Sequence, residues 1–203
     1  MIKLKNSLLL LLATFYFTAC TVSKIYPVAY YEQNKETLHD IEQLYAQAAG
    51  KGQLALVFAD MDFTKLSLEF RTDTVRYIYD FNYNEARVND SLNKFGYDTS
   101  LIQKIITDMR TIKCTWINTL DYYVDGTKKV LLFVSVPVKQ FSMIPRFKKS
   151  KYYLFNFYKQ PQYYDDQGRL LDKKKLSRLR KVNNEVFWRI TDKVCYTVAG
   201  KFR

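Results

Sequence analysis

The chain has 203 residues, a formal net charge of +12, three cysteines and one histidine. That length supports one domain with a real core, and a lone histidine argues against catalysis by Cys–His or Ser–His pairs and against common zinc sites. The charge is uneven: residues 20–145 carry 14 basic and 15 acidic side chains, whereas residues 146–203 carry 16 and 5.

The chain opens MIKLKNSLLLLLATFYFTAC. Lys3 and Lys5 precede an apolar run from Ser7 to Ala19, the layout of a secretory signal. The run is shorter than the ~20 residues that span a bilayer as a helix. Its end, Phe17-Thr18-Ala19-Cys20, resembles the lipobox of bacterial lipoprotein precursors. The resemblance covers residues 1–22 only, and Phe17 departs from the aliphatic residue usual there, so a plain secretory signal is the alternative. The resemblance implies cleavage before Cys20, diacylation of its thiol and acylation of the new amino terminus. Thr21 stands where an acidic residue commonly retains such proteins in the inner membrane, which implies the outer membrane of a Gram-negative cell. On this reading residues 1–19 are a cleaved signal, 20–31 a lipid-anchored tether and 32–203 a single domain.

Asn34 is placed to cap a helix running to Ala49, with Leu38, Ile41, Leu44, Tyr45 and Ala48 at helical spacing and Gly50 as its stop. His39 lies beside that stripe and reads as a surface residue. Three strands follow. Gln53–Ala59 is apolar on both faces; Lys65–Arg71 alternates, with Leu66, Leu68 and Phe70 on one face; Thr74–Phe81 continues the alternation. Short connections predict an antiparallel meander. Asp60 and Asp62 in the first connection read as turn formers. Helical spacing returns over Asn84–Phe95, stopped by Gly96. It recurs from a cap at Asp98 or Thr99 to Ile112, where Leu101, Ile102, Ile105, Ile106, Met109 and Ile112 make the strongest amphipathic pattern in the chain.

Strands are predicted at Cys114–Val124 and Lys128–Val138, joined by the tight turn Asp125-Gly126. A third follows at Tyr152–Tyr158, beyond the basic link 146–151. Asp165-Asp166-Gln167-Gly168 reads as a hairpin turn without the spaced oxygen ligands of a calcium loop. Asp172 then caps an expected last helix, Lys173 to about Ile190, buried through Leu176, Leu179, Val182, Val186 and Ile190; Lys193–Phe202 closes the chain as a strand. The expected fold is α+β: one domain with a curved antiparallel sheet and helices on one face. Helix plus three strands occurs twice, which suggests an αβββ duplication that no residue-level repeat supports.

Lys173, Lys174, Lys175, Arg178, Arg180 and Lys181 crowd the first half of that expected helix, where cations oppose the helix dipole. In an exported protein this basic third suits anionic lipid, lipopolysaccharide, peptidoglycan or an envelope protein rather than nucleic acid. With Cys20 lipidated, Cys114 and Cys195 remain, and an oxidising compartment would permit a disulfide between them; two separate buried thiols are the alternative. The sequence contains no phosphate loop, nucleophile elbow or metal spacing, so no catalytic residue, metal ligand or cofactor is assigned. The expected function is a non-enzymatic membrane-anchored module that binds through its basic C-terminal surface. Two alternatives stand beside it. One is a glycan or lipid binder with an aromatic cup, suggested by Tyr122-Tyr123, Tyr152-Tyr153 and Tyr163-Tyr164. The other is a carboxylate-dependent envelope hydrolase drawing on Asp60, Asp62, Asp165 and Asp166.

Overall fold

The computed structural model describes residues 26–48, 50–124, 126–137, 151–182 and 184–201. The expected signal, Cys20 and the link 146–150 lie outside these residues. The chain divides into two units, 1–38 and 39–203. In the first, residues 26–33 are helical (α1), so the outer half of the expected tether is not extended; Pro27 falls at the start, where its missing N–H is tolerated. Asn34 sits between α1 and α2 (Lys35–Gln47), but its side chain does not cap the second helix. Its amide donates back to the Tyr30 carbonyl at 2.8 Å.

The second unit is built on one eight-stranded sheet. Its strands are β1 (Gln53–Phe58), β2 (Lys65–Arg71), β3 (Arg76–Asn82), β4 (Trp116–Val124), β5 (Thr127–Pro137), β6 (Tyr152–Phe157), β11 (Trp188–Arg189) and β12 (Val194–Ala199). The order is β11-β12-β6-β5-β4-β1-β2-β3 and every pair is antiparallel. Two meanders, β1–β2–β3 and β4–β5–β6, run outward from a central β1–β4 pair in which Leu56 faces Ile117 and Val57 faces Trp116. The expected duplication therefore has a counterpart in topology.

Local chemistry fixes the turns. Asp60 accepts hydrogen bonds from the Thr64 and Lys65 amides and the Thr64 hydroxyl, closing the β1–β2 connection. Phe63 holds a left-handed φ of 58° there, kept by burial of its ring edge-on against Phe58 at 5.2 Å. β4 and β5 pair through to Val124 and Thr127, which leaves a two-residue loop with Gly126 at φ 78°. Asp98 caps α4 (Thr99–Thr111) by accepting from the Ser100 and Leu101 amides.

Strand alternation gives the sheet two buried faces. On the helix face, Leu54, Leu56, Leu66, Leu68, Phe70, Ile117, Val134 and Phe155 are all buried. Val88 and Leu92 of α3 (Arg87–Lys94) and Ile102, Ile105, Ile106 and Met109 of α4 are buried as well. Phe95, just past α3, stacks on Phe70 with centroids 4.0 Å apart. On the opposite face, Ala55, Val57, Trp116, Tyr122, Phe133, Leu154, Cys195 and Ala199 form a second core with Tyr158, Leu170, Val182 and Phe187.

The segment that closes this second face corrects the sequence expectation. None of the described residues between 173 and 190 is helical. The stretch instead carries, after β7 (Leu171–Asp172), the short strands β8 (Lys175–Leu179), β9 (Lys181–Val182), β10 (Glu185–Val186) and β11. β7 pairs with β8, β9 with β10, and Tyr164 bridges to Leu170, so the segment from Tyr163 folds as a string of short hairpins. Three observations explain why helical spacing did not make a helix. Asp172 accepts from the Lys174 amide at 2.9 Å, as a cap would, but the chain turns back at once, with Asp172 opposite Lys175. Asn184 adopts φ 64°, which ends any helix and suits a tight turn. In a helix, Lys174 and Arg178 would repel at i,i+4 spacing; in β8, Leu176 and Arg178 point away from Lys175, Ser177 and Leu179. We call residues 158–190 the cover.

Candidate functional site

The six cations singled out in the sequence lie on the cover's outer hairpins. Lys173 and Lys174 form the β7–β8 turn, Lys175 and Arg178 are on β8, and Lys181 begins β9; all five are exposed. Arg180 differs. It is half-buried, with its guanidinium 5.5 Å from the Tyr158 ring centroid and donating to Gln162 Oε1 at 3.3 Å, so it ties the cover to the second core. Lys174, Lys175, Arg178 and Lys181 make no ion pair among the described residues. Leu176 stands among them at 53% exposure, and Tyr163, two strands away, at 49%. On β8 only Arg178 shares the face of Leu176, while Lys175 is on the other, so the exposed hairpins present cations on both sides.

The other residues named from sequence do not converge. Asp60 and Asp165 are turn formers in separate connections. Desolvation alone would push Asp60 up, but hydrogen bonds from the Thr64 hydroxyl and the Lys65 and Thr64 amides together hold its carboxyl below the usual range. The Arg169 amide, with the Arg169 guanidinium at 2.7 Å, does the same for Asp165. None of Asp60, Asp62, Asp165 and Asp166 lines either of the two grooves beside the β2–β3 turn. His39 is on the surface beside Gln43 and Glu42. Among the described residues no group of three or more His, Cys, Asp or Glu side chains is placed to hold a metal, and no helix is long and apolar enough to cross a membrane. Cys114 and Cys195 are free, separately buried thiols, so the disulfide is not formed. Cys114 donates to the Trp116 carbonyl and Cys195 lies under the cover; burial pushes the Cys114 thiol up to about 12 and raises that of Cys195 as well.

Of the tyrosine pairs, Tyr122 is buried and Tyr123 is 71% exposed, as opposite-facing neighbours should be. The inner rings do not line an open cup. Tyr122 and Tyr158 meet edge-on at 5.4 Å within the second core, and Tyr152 and Tyr164 pack against it. This interior is unusually polar. The hydroxyls of Tyr122, Ser135, Tyr158 and Tyr164 and the side-chain amide of Asn156 are buried there, with Asn156 facing the Tyr158 hydroxyl and Cys195 facing that of Tyr164. The sequence could not reveal this, because Asn156 occupies an ordinary inward position on an aromatic strand.

Two grooves flank the β2–β3 turn. One, of about 790 Å³, runs over the cover face of β1, β2 and β4; Trp116 and Asn118 form its floor, and the Glu69–Arg76 ion pair its rim. The other, of about 950 Å³, lies between the later part of α2 and the sheet, lined by Tyr45, Tyr97, Asp121, Lys129, Phe157 and Lys159 among others. Both tyrosine hydroxyls there are already engaged. Tyr45 donates to the Leu54 carbonyl and Tyr97 to the Gly52 carbonyl, and burial pushes the Tyr97 phenol up to about 12. Gly50 permits this packing, since a Cβ would lie 2.3 Å from the Tyr97 ring. Lys159 reaches Glu42 at 3.3 Å across the groove. Sequence reasoning missed this site because its residues come from six elements with no common motif. No protein-family model, curated protein or solved structure matches the chain.

Proposed function

We propose that the protein is a membrane-anchored lipoprotein of the cell envelope, lipidated at Cys20, which binds an anionic envelope component or partner protein through the hairpins of its cover. The observation that carries this reading is that Lys174, Lys175, Arg178 and Lys181 of neighbouring hairpins are all exposed and without ion pairs among the described residues, with the exposed Leu176 beside Arg178 on one face of β8. Such a patch is attracted to anionic headgroups or phosphates, each cation near a charged membrane adding about 1 kcal/mol. Three acyl chains at Cys20 would hold the protein on the membrane by themselves, so the basic patch would decide what the domain contacts there rather than whether it stays. The test is co-sedimentation of the Cys20→Ser protein with vesicles. Binding should require anionic lipid, weaken as salt rises, and be lost in the triple variant Lys174→Glu, Lys175→Glu, Arg178→Glu. Equal binding to neutral vesicles would overturn it. Radiolabelled palmitate should enter the native chain and not the Cys20→Ser variant.

A second reading, a small-ligand binder, draws support from the groove of about 950 Å³ beside α2, which is of ligand size. Thermal stabilisation by soluble peptidoglycan fragments or a short-chain phospholipid, abolished by Leu132→Trp in the groove, would favour it over the first.

A further inference from the structure

The two ends of the sheet are unlike. β11 is a two-residue strand, a short edge of the kind that resists further pairing. β3 is seven residues long, continuous in register with β2, and has no neighbour on its other side among the described residues. The backbone phase of β3 follows from its flanking bonds. The Thr72 amide donates to the Val75 carbonyl and the Tyr83 amide to the Thr64 carbonyl, so hydrogen-bonded pairs fall at Tyr77, Tyr79 and Phe81. Arg76, Ile78 and Asp80 therefore turn their N–H and C=O groups outward. The same edge exposes apolar side chains: Ile78 is 54% exposed, Val75 45% and Tyr77 39%.

We infer that β3 pairs with β3 of a second copy of this chain, antiparallel and centred on Ile78. That register is the one the side chains favour. It sets Ile78 against Ile78 of the partner and Tyr77 against Tyr79, and places Arg76 opposite Asp80 twice, once on each side of the axis. The hydrogen-bonding residues are Arg76, Ile78 and Asp80, whose backbone groups point outward. Opposite charges facing across strands are favourable, and like charges unfavourable. The interface is isologous, as a twofold requires. The axis runs normal to the sheet, so both covers lie on the same side of the joined sheet. A partner of different sequence would need no such self-complementarity.

The test uses the full-length chain in detergent, with mass read by sedimentation. A reversible dimer is expected. Arg76→Glu should weaken self-association by on the order of tenfold, since two attractive contacts become repulsive, and Arg76→Glu with Asp80→Arg should restore it. Circular dichroism checks that each variant is folded. Independently, oxidation of Ile78→Cys should give a cross-linked dimer above the level of the parent chain, whereas Asn82→Cys, far from its counterpart in this register, should not. A parent chain that stays monomeric at every concentration would overturn the inference. So would a folded double variant that fails to recover, or equal cross-linking at the two cysteine positions.

Discussion

The two faces of the sheet are buried by different means. The helix face is sealed by α3 and α4 with Leu, Ile, Val, Met and Phe, and its aromatic contacts are close, as in the Phe70–Phe95 stack at 4.0 Å. The cover face is sealed by short hairpins and contains Tyr, Asn, Ser and Cys, with buried polar atoms whose contacts are few and largely with one another, as between Asn156 and the Tyr158 hydroxyl. An unpartnered buried polar group costs about 1–3 kcal/mol, whereas each well-packed large apolar side chain contributes about 1.5–3 kcal/mol. The helix face therefore carries the stability of the unit, and the cover is the part held on most weakly. Weak attachment suits a segment that also bears the exposed cations, since low-stability elements are the ones that move on binding.

The sharpest way to break this contrast is in the helix-face core. Phe70→Ala should cost about 3–5 kcal/mol, because it removes a fully buried ring and unstacks Phe95; urea unfolding measures it, and a loss below 1 kcal/mol would contradict the assignment of stability to that face. Phe187→Ala, at the centre of the cover, should act locally. Alkylation of Cys195 should speed up by on the order of a hundredfold while that of Cys114 does not. Mass spectrometry of the labelled thiols separates the two, and a parallel rise at both would mean that the cover is not a separate unit. Asn156→Leu should raise stability by up to about 1 kcal/mol, since it replaces a fully buried amide that faces only the Tyr158 hydroxyl with an apolar side chain of similar size. A loss would mean that Asn156 serves a partner inside the protein.

The smallest effect is with pH. The Ser100 hydroxyl and Leu101 amide hold Asp98 below its usual value; hydrogen bonds to Thr64 and Lys65 do so for Asp60, and the Arg169 amide and guanidinium for Asp165. A depressed folded-state pKa contributes stability that is present above the unfolded value and lost as pH falls through the folded one. Stability should therefore decline as pH drops below about 4. Because these carboxylates sit in turns and at the α4 cap, the fall should be shallow, readable as a modest decrease in melting temperature. A rise in stability over the same window would contradict it.

The contrast between the faces is also the contrast between what the sequence discloses and what it hides. The α4 stripe from Ile102 to Ile112 repeats over several turns, and every expected inward position but Leu101 is buried. The alternation in β2 predicts its bounds and its inner residues, Leu66, Leu68 and Phe70. Such patterns are legible because one long element meets one continuous surface. The cover has strands of two to five residues, too short to establish a period. Leu176, Leu179 and Val182 fall at helical spacing by coincidence. Leu176 is 53% exposed while Val182 is buried, which no single helical face would give. The turn chemistry was the better guide there, with Asp172 before three lysines and Asn184 able to take a left-handed φ. The six cations were visible as composition, but their split into five on the surface and one, Arg180, stacked on a core tyrosine depends on the hairpin register.

The cover's place in the chain has a further consequence for biogenesis. β6 and β12 are adjacent antiparallel strands, and the Tyr158 amide donates to the Lys193 carbonyl, so everything between is a long insertion in a single hairpin. Its residues and β12 are synthesised after the other long strands of the sheet. Until they arrive, Trp116, Phe133 and Leu154 form a naked apolar strip along three long strands, the kind of surface on which chains aggregate. A chain cut short anywhere after Phe157 would keep the helix-face core and lose the means of hiding the other. The need for a holding chaperone would therefore fall in the interval before β12 docks.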